Sequence, residues 1–165
     1  MNKRTFVFLD IDGVLNLSSQ WGRMYRLHDG CVKNFAEYIQ SIGTQNCRIV
    51  LTSSWKNGWN YKGSHSRPIL DLLQKLQPYG IRFFGKTESN AEDDRAKEIN
   101  EYILSHKLQD VPCIVIDDDR SLFHSKLLPN CKMLHVDASK GFQPHQESKK
   151  WYEHFNVIRQ KFPSS

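Results

Sequence analysis

Phe6-Val7-Phe8-Leu9-Asp10-Ile11-Asp12-Gly13-Val14-Leu15 is the stretch on which the fold turns. Its first half is aromatic and β-branched and starts almost at the N-terminus, which predicts a central strand buried on both faces. Side chains alternate along a strand, so the pattern places Asp10 and Asp12 on one side. Two like charges in that position repel, and they are costly to desolvate unless a cation lies between them. Gly13 then permits a sharp turn or a close approach to a ligand.

Working outward, the same kind of run recurs. Cys47 to Leu51 reads as a second buried strand and Ile81 to Phe84 as a short third. Cys113 to Ile116 reads as a fourth, ending in Asp117-Asp118-Asp119, and Leu134 to Val136 as a fifth. Helical periodicity falls between them. The first helix spans about Gly30 to Ser41, with Val32, Phe35, Ala36 and Ile39 on one face, Asp29 as its start and Gly43 as its end. The second begins at Pro68 and carries Ile69, Leu72, Leu73 and Leu76. The third spans about Asp94 to Ser105 with Ile99, Tyr102 and Ile103. A C-terminal helix is expected over about Gln146 to Lys161, with Trp151, Tyr152, Phe155 and Ile158 on one face.

Strands alternating with helices predict an α/β fold in three layers, Rossmann-like, with a central, mostly parallel sheet. No repeat or linker divides residues 1–165, which read as a single domain. Ligands in such sheets bind beyond the C-terminal strand ends. Asp10 and Asp12 end one strand, Thr52 and Ser53 the next, and Asp117 and Asp118 a third. The pattern therefore brings three distant segments to one rim.

The composition fits a globular protein: 39% hydrophobic and 25% charged residues, with a net charge of +5 that favours phosphate-bearing or nucleic-acid partners. The four cysteines form no Cys-x-x-Cys pair, which argues against zinc, and Cys47 and Cys113 read as buried thiols. Neither a signal peptide nor a membrane span is evident, so a cytoplasmic location is expected.

Carboxylates crowded at one rim repel by roughly 4 kcal/mol per pair at contact distance and an effective dielectric near 20. A divalent cation removes that cost, and an all-oxygen ligand set favours Mg2+. Such a site suits phosphoryl transfer. One carboxylate can attack phosphorus while a second moves the proton. Asp10 and Asp12 have the residue types and spacing for this division. Thr52 can donate to the phosphoryl group, and a lysine should neutralise its oxygens. Lys97 is the preferred candidate and Lys86 the runner-up. Trp55, Trp59, Tyr61, His65 and Arg67 form an aromatic and basic loop that either stacks bases or packs on the core.

The segment Asp10-Ile11-Asp12-Gly13-Val14-Leu15 resembles the first motif of haloacid-dehalogenase-superfamily phosphatases, Asp-x-Asp-x-(Thr/Val)-Leu. Thr52, Lys97 and Asp117-Asp118 resemble the second, third and fourth motifs in order. The resemblance implies that Asp10 is the nucleophile of an aspartyl-phosphate mechanism and Asp12 the acid/base. It implies magnesium held by the Asp10 carboxylate, the Asp12 backbone carbonyl, and Asp117 or Asp118. Asp93 to Ile99, followed by Ile116-Asp117-Asp118, is similar to polynucleotide 3′-phosphatase domains. Leu51-Thr52-Ser53-Ser54-Trp55-Lys56 resembles a subgroup linked with RNA repair. These strings make Ser53, Trp55, Lys56 and Arg95 the expected substrate contacts. The segments where the superfamily inserts caps are short here, so no large cap domain is expected. A capless site suits a phosphorylated macromolecule, either a nucleic-acid 3′ end or a phosphoprotein. A non-catalytic phosphate-binding module is the remaining alternative.

Overall fold

The computed structural model describes residues 4–22, 26–129 and 131–143. The predicted C-terminal helix and its aromatic face lie outside them. Five strands form one sheet: β1 (Thr5–Leu9), β2 (Cys47–Leu51), β3 (Phe83–Lys86), β4 (Cys113–Asp117) and β5 (Cys131–His135). All neighbouring pairs are parallel and the order is β3-β2-β1-β4-β5. Three helices connect them: α1 (Asp29–Ile42), α2 (Arg67–Leu76) and α3 (Arg95–Ser105). Among the described residues, no separate lid domain is built between β1 and β2 or between β2 and β3. No described helix is long and apolar enough to cross a membrane.

Strand alternation explains the layers. Val7 and Leu9 of β1, Ile49 and Leu51 of β2, and Ile114 and Ile116 of β4 share a core with Phe35 and Ile39 of α1 and with Ile69 and Leu72 of α2. The intervening residues Phe8, Val50 and Val115 share the opposite core with Ile99, Tyr102 and Ile103 of α3. Phe8 meets Tyr102 edge to face at 5.6 Å between ring centroids. Burying a side chain of this size contributes roughly 1.5–3 kcal/mol. The chain thus moves outward from β1 under α1 and α2, then returns across the other face under α3 to place β4 against β1. The strand order reverses at β1, and that reversal is where an open α/β sheet forms its crevice.

Three local expectations shift. His28, not Asp29, caps α1, its Nδ1 accepting from the Cys31 N–H at 3.2 Å. Asp29 sits one residue inside and pairs instead with Lys75 of α2 at 2.5 Å. β3 starts at Phe83 because the Ile81 N–H donates to the Leu76 carbonyl and closes the preceding helical segment instead of joining the sheet. β3 also extends through Gly85, where a Cβ would lie 3.0 Å from the Tyr61 hydroxyl and 3.2 Å from that of Tyr102. β5 begins three residues early, at Cys131, since its half-buried edge residues carry little apolar signal. All four cysteines are free thiols. Burial raises the Cys47 thiol to about 12.

Candidate active site

Strand register builds the rim. Leu9 pairs with Leu51 on one side and with Ile116 on the other. The next residues, Asp10, Thr52 and Asp117, therefore stand in one row. Backbone bonds hold the row together: the Asp10 N–H donates to the Ile116 carbonyl at 3.0 Å, and the Thr52 N–H to the Leu9 carbonyl at 2.9 Å. By alternation these three residues belong with Phe8, Val50 and Val115, on the α3 face.

The first turn of α3 supplies the cation. Arg95 Nη1 lies 2.8 Å from Asp117 Oδ2 and 3.4 Å from Asp10 Oδ1. Asp10 and Asp117 are buried. One oxygen each of Asp10, Asp117 and Asp118 falls within 4.8 Å of the others. Burial drives the Asp10 carboxyl well above the usual carboxylate range; Asp117 adds to the shift and Arg95 opposes it. The Asp117 carboxyl is raised too, again by burial, against the pull of Arg95. Burial works against the Arg95 charge, yet Asp10 and Asp117 outweigh it and hold the guanidinium above its ordinary value. Gly13 belongs to the same construction. Its φ is +80°, and a Cβ there would stand 2.6 Å from Asp118 Oδ2.

Asp12 occupies a different setting from the one alternation predicts. The strand stops at Leu9 and the chain turns, the Val14 and Leu15 N–H groups both donating to the Ile11 carbonyl. Two-residue periodicity therefore does not reach Asp12, and its carboxylate is outside the cluster of three. It is half-buried, and its Oδ1 accepts from Asn16 Nδ2 at 2.8 Å and from Trp55 Nε1 at 3.1 Å. Asn16 Oδ1 in turn accepts from the Gly13 N–H at 2.8 Å and from Trp21 Nε1 at 3.1 Å. Asn16 escaped the sequence reading because a lone amide after a strand carries no spacing signal.

The remaining expected residues separate. Thr52 is buried and its Oγ1 has no hydrogen-bond partner among the described residues. Ser53 caps the short helical segment Ser54–Gly58, its Oγ accepting from the Trp55 N–H at 3.2 Å. Lys56, expected at substrate, is buried; its Nζ lies 2.5 Å from Glu98 Oε2 and 3.2 Å from Thr87 Oγ1. Lys97, expected at the phosphoryl group, is half-exposed and pairs with Glu92. The Lys86 ammonium donates to the carbonyls of Lys56 and Trp59 at 3.1 and 2.8 Å. Arg95 and Lys97 are two positions apart on a helix and cannot share a face. Four residues back from Ile99 along the buried stripe is Arg95, so the stripe already held this information.

The carboxylate trio passes the test for a cation. Its donors are all oxygen, and Arg95 is the one cationic group in contact with it among the described ion pairs. One charge does not offset three, and a hard divalent ion fits such donors.

A family model described as the HAD domain in Swiss Army Knife RNA repair proteins matches residues 6–146. A search of curated proteins gave no significant match, and a search of solved structures gave none either.

Proposed function

The chain belongs to that HAD-domain family of RNA repair proteins and is a haloacid-dehalogenase-type phosphatase; from this premise we propose that it removes terminal phosphate from nucleic-acid ends through an aspartyl-phosphate on Asp10. The observation that carries the reading is the row at the rim, where the buried Asp10 stands level with a buried Thr52 hydroxyl that has no hydrogen-bond partner among the described residues. The family description supports the nucleic-acid substrate, as does the net charge of +5.

In the reaction Asp10 attacks phosphorus, and the bond from phosphorus to the leaving oxygen breaks. Asp12 gives that oxygen its proton. Asp12, now ionised, takes a proton from water as the water attacks the phosphorus of the aspartyl-phosphate. Inorganic phosphate leaves and Asp10 is restored as carboxylate. Thr52 donates to a phosphoryl oxygen, and Arg95 supplies the positive charge assigned to Lys97 on sequence grounds. Asn16 and Trp55 hold the Asp12 carboxylate toward the leaving oxygen. Magnesium would be held by Asp10, Asp117 and Asp118, with the Asp12 backbone carbonyl as the further expected ligand. When bound it neutralises the carboxylates and polarises the phosphoryl group.

Hydrolysis of p-nitrophenyl phosphate with and without Mg2+ tests the chemistry, in wild type and Asp10→Asn. Turnover that needs Mg2+ and vanishes in the variant is expected. A wild type as inert as the variant would leave a phosphate-binding module. A panel of 3′-phosphorylated oligonucleotides against phosphopeptides tests the substrate, with the oligonucleotides expected to be preferred. A wide preference for peptides would sink the nucleic-acid reading.

A further inference from the structure

The leaving group of a phosphatase departs past its general acid, so the space beside Asp12 must accept the body of the substrate. A groove of about 840 Å³ opens there, with Asp12, Asn16 and Trp55 in its wall. It is far larger than a phosphate needs and lies in the range of sites that enclose drug-sized ligands. Trp21 also lines it and is 51% exposed. Its indole edge is fixed by the bond to Asn16, which leaves the ring as a preset exposed platform. Among the described lining residues, the charged one besides Asp12 is Arg26, which is exposed. Gln20 and Asn57 add amide groups, and among the described lining residues there is no lysine and no second acid.

An exposed aromatic platform and a cation, both beside a general acid, match a polymer that alternates bases with phosphates. Base stacking on an aromatic ring is tolerant of sequence and needs a base free of its own duplex partners. We propose that this groove seats the terminal residues of a single-stranded nucleic acid, with the base next to the scissile phosphate stacked on Trp21 and an adjoining backbone phosphate paired with Arg26. This deepens the phosphatase reading of the same site and rests on it. Because Trp55 both lines the groove and donates to Asp12, the seat for the leaving group and the proton donor are one continuous structure.

The test compares kcat/KM for a 3′-phosphorylated single strand, its blunt duplex and a phosphotyrosine peptide, each divided by kcat/KM for p-nitrophenyl phosphate. The ratio cancels any general loss transmitted through Asn16. Trp21→Ala should lower the single-strand ratio by about tenfold or more, mainly through KM, and Trp21→Phe should recover most of it. Arg26→Ala should lower the same ratio and reduce the salt slope of binding by about one. The single strand should exceed the duplex in wild type. The proposal is overturned if the single-strand ratio survives both alanine variants, if the duplex is preferred, or if the peptide ratio falls further than that of the single strand. If wild type turns over no substrate, the phosphatase reading fails by itself. Equilibrium binding of the labelled single strand then decides the groove, and equal affinity for wild type and Trp21→Ala would overturn it.

Discussion

Asp10 and Asp12 are two residues apart, yet they occupy opposite kinds of environment. Asp10 continues the row of β1 under α3, buried beside Asp117, Asp118 and Arg95. Asp12 sits beyond the turn, half-buried, held by the neutral donors Asn16 and Trp55 and open to the groove. The difference supports the separate tasks proposed for the two carboxylates. In the proposed reaction, crowding and burial suit Asp10 to attack beside a cation, and solvent access with an adjoining groove suits Asp12 to proton transfer.

The comparison breaks most visibly if substitutions on its two sides behave alike. Asp10→Asn should abolish turnover of p-nitrophenyl phosphate, by about four orders of magnitude or more. It should also raise the melting temperature of the metal-free protein, because it removes a charge that folding crowds and desolvates. The sign follows from linkage. Burial first, and then mutual repulsion, raise the Asp10 carboxyl in the folded state above its ordinary 3.8. Across that window the folded state binds more protons than the unfolded one, so this contribution falls as pH rises. In EDTA, melts from about pH 5 to about pH 7 should show wild type losing ground to Asp10→Asn as pH increases. A variant less stable than wild type at neutral pH would contradict the crowding.

Asp12→Asn should cost roughly 10²–10⁴ in kcat, without the gain in metal-free stability. On the α3 side, Arg95→Ala should cost about 10²–10³ in kcat, while Lys97→Ala should leave it near wild type. The reverse order would return the phosphoryl contact to Lys97. Lys56→Ala should act chiefly on stability, since it strands Glu98 in the interior; about 3–5 kcal/mol by denaturant melt is expected. The smallest effect falls on the turn side. Asn16→Ala should reduce kcat for p-nitrophenyl phosphate by about tenfold and leave metal-dependent stabilisation intact, since its contacts, to Asp12, the Gly13 N–H and Trp21, include none of the three clustered carboxylates.

The sheet was legible because buried strands and helical stripes are strong periodic signals. β1, β2 and β4 lie within a residue of where their apolar runs put them. β3 and β5 shifted because a helix-closing N–H claimed Ile81 and because an edge strand is only half apolar. At the site, Asp10, Thr52 and Asp117 were legible as polar residues ending successive strands. Their common row was not, since register comes from pairing and not from composition. Residue type points to Lys97, with Lys86 as runner-up, for the phosphoryl cation, whereas the helical stripe running back from Ile99 puts Arg95 against the carboxylates. Lys56 reads as a substrate contact in sequence, and its approach to Glu98, 42 positions away, places it inside instead.

The central claim is that Asp10 and not Asp12 bonds to phosphorus. Borohydride quenching during steady turnover of p-nitrophenyl phosphate tests it, because an acyl phosphate is reduced to the alcohol. Peptide mass analysis should find homoserine at position 10 with Asp12 intact, and no reduction in Asp10→Asn. Homoserine at position 12, or steady turnover with both positions unmodified, would contradict the account.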